Sequence, residues 1–226
     1  MKSKVLALAA VVCLFSTSVF AVSPTCFDPQ NPTWTYQYWS FTTQVDDVIT
    51  NGQKSFDVNP DTFTNLNGQP TGTFKVTSRY RPSGWFVSHN SGQGVIYGDD
   101  VDFSLYIPNT ENRLLTKEIC IEVHFLGTYL ADKTYITAPQ GFVPELSSRE
   151  ITYDTPDILH PEHDSWAMLK ERWTINPQPG NEIINMSFTG TGADIDWIKV
   201  ETVCIPEPVS ISLFAAASIF LLKRKH

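Results

Sequence analysis

The chain has little basic charge and lacks the short motifs of several enzyme classes. It contains 16 Lys and Arg residues against 24 Asp and Glu residues, a formal net charge of −8. This acidic surplus argues against binding to nucleic acid or to an anionic lipid surface. The sequence has no G-x-S-x-G elbow, no H-E-x-x-H pair and no P-loop. It therefore lacks the motifs of serine hydrolases, zinc proteases and P-loop nucleotidases.

Cysteine is scarce, and the interior of the chain has neither repeats nor linkers. None of the four cysteines forms a C-x-x-C pair, which removes the usual signature of a zinc or redox site. No internal repeat and no low-complexity linker divides the interior of the chain. Its length suffices for one domain with a proper core but not for two. We therefore predict a single domain over residues 22–205.

The N-terminus has the order of a secretory signal. Lys2 and Lys4 precede the apolar residues 5–15, and a region of small residues follows and ends at Ala21. This arrangement is typical of a signal peptide. We predict a signal helix over residues 1–21, cleavage between Ala21 and Val22, and export by the secretion machinery.

The C-terminus combines a short proline motif, an apolar run and a basic end. These parts are Pro206-Glu207-Pro208, the apolar residues 209–222, and Lys223-Arg224-Lys225-His226. As a helix, the 14 apolar residues would extend roughly 21 Å, less than the about 30 Å of a bilayer core. The run therefore suits a transient membrane stop better than a permanent anchor. The basic end predicts a cytoplasmic C-terminus, because positively charged flanks stay inside.

These last residues resemble the PEP-CTERM sorting signal of envelope and biofilm-associated proteins in Gram-negative bacteria. The resemblance covers residues 206–226 of the 226-residue chain. It implies recognition by exosortase, at least transient residence in the inner membrane, and delivery to the cell surface or extracellular matrix. An ordinary C-terminal membrane helix after a proline pair is the alternative.

Without its two ends the chain is more acidic. Residues 22–208 keep 11 of the 16 basic residues and all 24 acidic ones, so their net charge is −13. Such a charge is compatible with neutral or cationic polymers, with divalent cations, or simply with solubility. Three cysteines also remain, and an odd number allows at most one internal disulfide. Because domain termini often lie close together, we predict a Cys26–Cys204 bond, with Cys120–Cys204 as the alternative.

The interior has the pattern of short strands separated by turns. Segments rich in Val, Ile, Phe, Tyr and Trp are bounded by Thr, Ser, Asn, Gly and Pro. They are residues 33–43, 73–80, 85–89, 101–107 and 118–126. In the last segment the apolar residues Ile119, Ile121, Val123 and Phe125 alternate with Glu118, Cys120, Glu122 and His124. Alternation predicts a half-buried strand, and the whole pattern predicts an all-β fold, a single antiparallel β-sandwich.

The end of the domain is predicted as a three-stranded meander. Its strands are residues 166–175, 182–188 and 195–204, joined by a Pro-rich turn and by a loop at residues 189–193. Residues 165–173 also fit a short helix capped by Ser165, and we favour the strand.

The closing segment resembles a known strand. Residues 193–201, ADIDWIKVE, are similar to the last strand of jelly-roll domains of the galactose-binding and carbohydrate-binding-module type. The resemblance implies a jelly-roll-like sandwich whose sheet face or loops bind sugar.

Aromatic side chains are the main indication of a ligand. Trp34, Tyr36, Tyr38 and Trp39 crowd one predicted strand, and Trp85 follows a turn. Aromatic rings stack on the apolar faces of sugars. One side of an alternating strand is normally buried, so the strand pattern also favours core packing of the first four residues. Trp85 and Trp39 are our candidate glycan contacts, with Trp85 the better candidate for exposure.

Paired carboxylates are the catalytic candidates. Asp194 and Asp196 are two residues apart and share one face of a regular strand, as do Glu118 and Glu122 with His124. Glycosidases need two such carboxyl groups a few ångströms apart, but solvated strand faces produce the same spacing. We therefore predict no catalytic residue and no enzymatic activity.

Asp99, Asp100 and Asp102 offer hard oxygen ligands for a structural Ca²⁺ ion. We predict no cofactor, with a structural Ca²⁺ ion at these residues as the alternative.

Two functions remain open on the sequence. The first is an exported, non-catalytic protein of the envelope or biofilm matrix, sorted by exosortase and in contact with exopolysaccharide. The second is a glycan-binding module or a carbohydrate-processing enzyme on the same fold.

Overall fold

A computed structural model of the protein describes residues 26–41, 50–79, 82–87, 94–153 and 166–206. For Trp85, Phe86, Val87 and Thr191 only the backbone is described. The predicted signal helix, its cleavage site Ala21–Val22, and residues 207–226 with the C-terminal helix lie outside these ranges. No helix in the described ranges is long and apolar enough to cross a membrane.

The protein is all-β, as predicted. Eleven strands and one short 3-10 helix, Ala131–Lys133, account for the regular structure of the described residues. The strands are β1 (Thr35–Trp39), β2 (Gly52–Val58), β3 (Thr62–Thr64), β4 (Thr71–Ser78), β5 (Gly84–Val87), β6 (Gly94–Pro108), β7 (Leu115–Tyr129), β8 (Tyr135–Thr137), β9 (Val143–Tyr153), β10 (Ala167–Asn176) and β11 (Asn181–Pro206).

The longest strand, β11, belongs to two layers. The strands pair in the order β2-β4-β6-β11-β7-β10-β9, and every pair is antiparallel. The first half of β11 pairs with β6 and β8, whereas its second half pairs with β7 and β1. We call β2, β4, β6, β8 and the first half of β11 the first layer. The second layer consists of β1, β3, β7, β9, β10 and the second half of β11.

The two layers pack their apolar faces together, as in a β-sandwich. In the first layer, the rings of Phe74 and Phe103 lie 5.6 Å apart. Phe188 of β11 lies 5.9 Å from Phe103 and 4.8 Å from Phe125 of the second layer. Each layer therefore has an inner face in the core and an outer face directed away from it.

Two predictions about single strands are confirmed. In β7, Ile119, Ile121 and Val123 are fully buried in the core, and the intervening residues lie on the outer face. Residues 167–176 form strand β10 rather than a helix, with alternate residues buried. The period of two therefore identified both strands correctly.

The predicted C-terminal meander was wrong. β10 pairs with β7 and β9, not with residues 182–188. Residues 181–206 form one strand, and the predicted loop at residues 189–193 is an irregularity within it. Gly190 and Gly192 have φ angles of 155° and 146° there, which residues with a Cβ rarely adopt. These glycines let the chain pass from one layer to the other without reversing direction.

The predicted disulfide was also wrong. Cys26 is bonded to Cys120, and Cys204 is the free cysteine of the described residues. Cys204 lies opposite the buried Lys117, on the inner face of the second layer. Cys120 lies opposite Glu201 on the outer face, where the chain that precedes β1 runs. The two faces separate Cys204 from both of its predicted partners.

Candidate functional site on the outer face of the second layer

A continuous row of rings crosses the outer face of the second layer. Trp34 precedes β1, and Tyr36 and Tyr38 follow at alternate positions, with ring centroids 5.8 and 6.5 Å apart. Tyr38 then lies 5.9 Å from Trp197 of β11. All of these rings are partly exposed. Alternation along the strand explains why they share one face.

The row continues onto β7 and ends beside β10. The ring of His124 lies 5.9 Å from that of Trp197 and 4.8 Å from that of Trp166, and all three are partly exposed. We call the six residues the aromatic row; they are Trp34, Tyr36, Tyr38, Trp197, His124 and Trp166.

A β-bulge places two functional side chains next to each other. The pairing of β11 with β7 shifts between Ile195 and Trp197, so Asp196 is the extra residue. Ile195 and Ile198 remain fully buried, while both Asp196 and Trp197 reach the outer face. Asp196 Oδ2 lies 2.8 Å from Nδ1 of His124. Bulges commonly redirect a side chain in this way.

A buried group of charges lies next to the aromatic row. Glu122 lies between two ammonium groups, with Nζ of Lys199 at 2.5 Å and Nζ of Lys170 at 2.8 Å. Lys199 also lies 3.3 Å from a carboxylate oxygen of Glu201. The residues Glu122, Lys199 and Glu201 are only 4, 2 and 0 % exposed. We call Glu122, Lys170, Lys199 and Glu201 the ionic group; its charges balance.

The ionic group keeps Glu122 ionised. Burial acts to raise the pKa of Glu122, but hydrogen bonds and charge interactions with Lys170 and Lys199 outweigh it, and the pKa is lowered. The general acid of a glycosidase needs the opposite shift. The Glu122 carboxylate is therefore ionised, as in a structural ion pair.

The tyrosines of the row stay protonated. Burial and the charge of Asp196 raise the pKa of Tyr38 to about 12, and burial and Glu201 raise that of Tyr36. Both phenols therefore keep a hydrogen-bond donor at physiological pH.

The chain before β1 is fixed to this face by Cys26. The Cys26 N–H donates to the Glu201 carboxylate at 3.0 Å, and Arg172 donates to the Cys26 carbonyl at 3.3 Å. The indole N–H of Trp34 donates to the same Glu201 carboxylate at 3.1 Å. The disulfide and Glu201 thus hold both ends of residues 26–34, which sets the position of Trp34.

The two predicted glycan contacts have different outcomes. The prediction of Trp39 as a glycan contact was wrong, because its side chain is 1 % exposed and belongs to the core. The core packing that the strand pattern favoured is thus confirmed for Trp39 and wrong for Trp34, Tyr36 and Tyr38, which are partly exposed. Trp39 follows the outward-facing Tyr38, and alternation places it on the inner face. The side chain of Trp85 lies outside the described residues.

Two of the three candidate Ca²⁺ ligands, Asp99 and Asp100, have protein partners. The Asp99 carboxylate accepts from the Arg79 N–H, and Asp100 contacts both the Arg79 guanidinium and the Thr189 hydroxyl. Asp102 lies opposite Lys75. Within the described ranges, the one close group of three potential metal ligands is Cys26, Cys120 and Glu122, and the disulfide uses both sulfurs. The Ca²⁺ site stays a prediction.

Sequence reasoning missed the ionic group and the contact between Asp196 and His124. The alternation of β7 already placed Glu122 and His124 on one face. Their partners lie on β10 and β11, and strand register was the missing information. No protein-family model matches the chain, and no curated protein or solved structure shows significant similarity to it.

Proposed function

We propose that the protein is an exported, non-catalytic component of the cell envelope or biofilm matrix that binds extracellular polysaccharide. The aromatic row carries this proposal, because six partly exposed rings on one face suit stacking against a chain of sugars. Rigid rings lose little side-chain entropy on binding. The aromatic row is also held in place beforehand by neighbouring rings and, at Trp34, by Glu201, which lowers the ordering cost of binding.

Export and sorting are parts of the same proposal. The signal-like residues 1–21 support export, and so does the Cys26–Cys120 disulfide, because such bonds persist in oxidising compartments. The resemblance of Pro206-Glu207-Pro208 and of Lys223-Arg224-Lys225 to a PEP-CTERM signal supports recognition by exosortase at the inner membrane. The folded part then faces outward.

The jelly-roll-like fold of sugar-binding domains is the finer form of this proposal. Residues 193–201, which resemble the closing strand of such domains, lie in β11 and supply Trp197 to the aromatic row. Glycan binding on this face is favoured over hydrolysis with Glu122 of β7 as general acid, because Glu122 has a lowered pKa and lies between two lysines.

A binding experiment tests the proposal. The full chain and its Trp197→Ala variant are compared on a soluble β-glucan, a galactomannan, a polyuronate and a de-N-acetylated amino-sugar polymer by affinity electrophoresis. We expect binding by the wild type and a loss of about 30-fold or more in the variant, as for a central aromatic contact. Tyr106→Ala is the control, since Tyr106 is 38 % exposed on the first layer. Absence of wild-type binding to all four polymers would refute the proposal.

Sorting is tested separately in cells that contain an exosortase. Glu207→Ala and replacement of Lys223, Arg224 and Lys225 by Ser should each leave the protein unprocessed in the membrane fraction. Unchanged processing of both variants would contradict the sorting proposal and leave the binding proposal intact.

A further inference from the structure

Asp196 has an acceptor atom that none of the described residues uses. The residue is 7 % exposed, and its Oδ1 atom is buried without a hydrogen-bond partner among the described residues. The other oxygen, Oδ2, lies 2.8 Å from Nδ1 of His124. A buried polar atom without a partner costs free energy comparable to a lost hydrogen bond, and more when the group is charged. A partner that arrives with a ligand would remove this cost.

The position of Asp196 connects this atom to the aromatic row. The bulge sets Asp196 directly before Trp197, and its charge acts on the phenol of Tyr38. The ring of His124, which contacts Asp196, lies between those of Trp166 and Trp197. Asp196 is therefore close to rings of the aromatic row from three strands: Tyr38 of β1, His124 of β7 and Trp197 of β11.

We infer that Asp196, with Tyr38, Trp197 and His124 around it, forms a subsite that accepts a hydrogen bond from a hydroxyl group of a neutral sugar. This inference rests on the proposed function and adds the chemical class of the ligand. The rings contact the apolar face of the sugar, and Oδ1 fixes its orientation. Charge-assisted hydrogen bonds of this kind are about twice as strong as neutral ones.

The charges of the face favour a neutral ligand. In the ionic group, the charges of Lys170 and Lys199 are already matched by those of Glu122 and Glu201, so the group has no surplus positive charge to attract a uronic acid. The net charge of −13 over residues 22–208 repels polyanions as well. A hydroxyl group satisfies Oδ1 without adding charge beside the balanced ionic group.

The test compares the full-length wild type with Asp196→Asn. The substitution keeps an oxygen for His124 and turns an amide N–H₂ toward the site in place of the unused acceptor. We expect affinity for a soluble neutral β-glucan to fall about tenfold or more. The melting temperature should stay the same or rise, because a buried charge is removed. A purely structural Asp196 would give a lower melting temperature and unchanged affinity, which would overturn the inference.

Asp57→Asn is the matched control, since Asp57 is exposed on the first layer and accepts from the Thr73 hydroxyl. It should bind the glucan as the wild type does. A fall in affinity equal to that of Asp196→Asn would overturn the inference.

A ligand-side measurement needs no variant. O-methylation of the same β-glucan removes hydroxyl donors and keeps the apolar ring faces. The wild type should bind the methylated polymer about tenfold or more weakly, whereas Asp196→Asn should show a much smaller difference between the two polymers. Equal wild-type affinities, or tighter binding to the polyuronate or the amino-sugar polymer, would overturn the inference.

The variant Tyr38→Ala separates the two proposals. If it abolishes binding while Asp196→Asn does not weaken binding, the aromatic row binds glycan and the subsite fails. If the wild type binds no polymer, the proposed function itself fails.

Discussion

The two outer faces of the protein are built from different residues on the same kind of strand. On the first layer, short polar side chains are exposed and pair locally, as Thr73 does with Asp57 and Ser104 with Asn185. On the second layer, rings flank charges that are almost completely buried, such as Lys199 at 2 % exposure. The first is an ordinary solvated face. On the outer face of the second layer, charged side chains are buried although they lie outside the core between the layers.

This difference shows what the outer face of the second layer requires. Burial of Glu122 and Glu201 is unfavourable unless each carboxylate is paired, and the two lysines and the Cys26 N–H meet that need. The result is a rigid layer next to the aromatic row. The first outer face has no comparable need, because water satisfies its polar groups.

The largest effect should come from removal of a buried ammonium group. Lys199→Met leaves Glu122 and Glu201 short of a partner, and we expect a loss of about 3–5 kcal/mol in the free energy of unfolding. Lys75→Met on the first outer face is exposed and should change stability by less than about 0.5 kcal/mol. Urea denaturation of both variants measures the contrast. Similar losses in the two variants would show that the faces do not differ energetically.

The disulfide should have the next largest effect. Cys26→Ser with Cys120→Ser opens a covalent link of 94 residues in sequence separation, and such links typically contribute about 2–4 kcal/mol. The double variant should also bind glycan more weakly, because residues 26–34 position Trp34. Cys204→Ser keeps the disulfide and should bind glycan normally. Full glycan affinity in the double variant would show that the Cys26–Cys120 disulfide does not contribute to glycan binding.

Stability should fall in acid, in part through Glu122. A carboxyl whose pKa is lower in the folded than in the unfolded state adds stability above its unfolded pKa, and this stability is lost as the pH falls through the folded value. Since the pKa of Glu122 is lowered, the melting temperature should drop below about pH 4.5. Glu122→Gln should melt lower at pH 7 and show a shallower acid limb. Melting curves from pH 7 to pH 3 decide this, and an unchanged acid limb would contradict the assignment.

The smallest effect is expected at the end of the aromatic row. Trp34→Phe keeps a ring and removes the N–H that donates to Glu201 at 3.1 Å, so we expect a loss of about 1 kcal/mol in stability. Glycan affinity should decrease only slightly. Calorimetric titration with the β-glucan measures it, and complete loss of binding would mean that Trp34 is the main contact.

The sequence predicted the two-residue alternation within each strand better than it predicted which strands pair with each other. Alternation in residues 118–126 placed Glu122 and His124 on one face, because that pattern is local. Tyr38 lies opposite Lys199, far along the chain, and nothing local specifies this register. The same limit explains the error at Trp39, since a strand of mixed aromatic residues does not indicate which face is inner. It also explains the missed strand β9, whose polar residues do not alternate.

Strand β11 has a consequence for the order in which the chain folds. It is the central strand of both layers and spans the last described residues, Asn181–Pro206. Neither layer can close until this strand is available, because the pairings of β6 and β7 with it span large distances along the chain. Under the proposed export, the chain would therefore cross the membrane unfolded almost to its end, and folding would begin only as the Pro206-Glu207-Pro208 segment arrives.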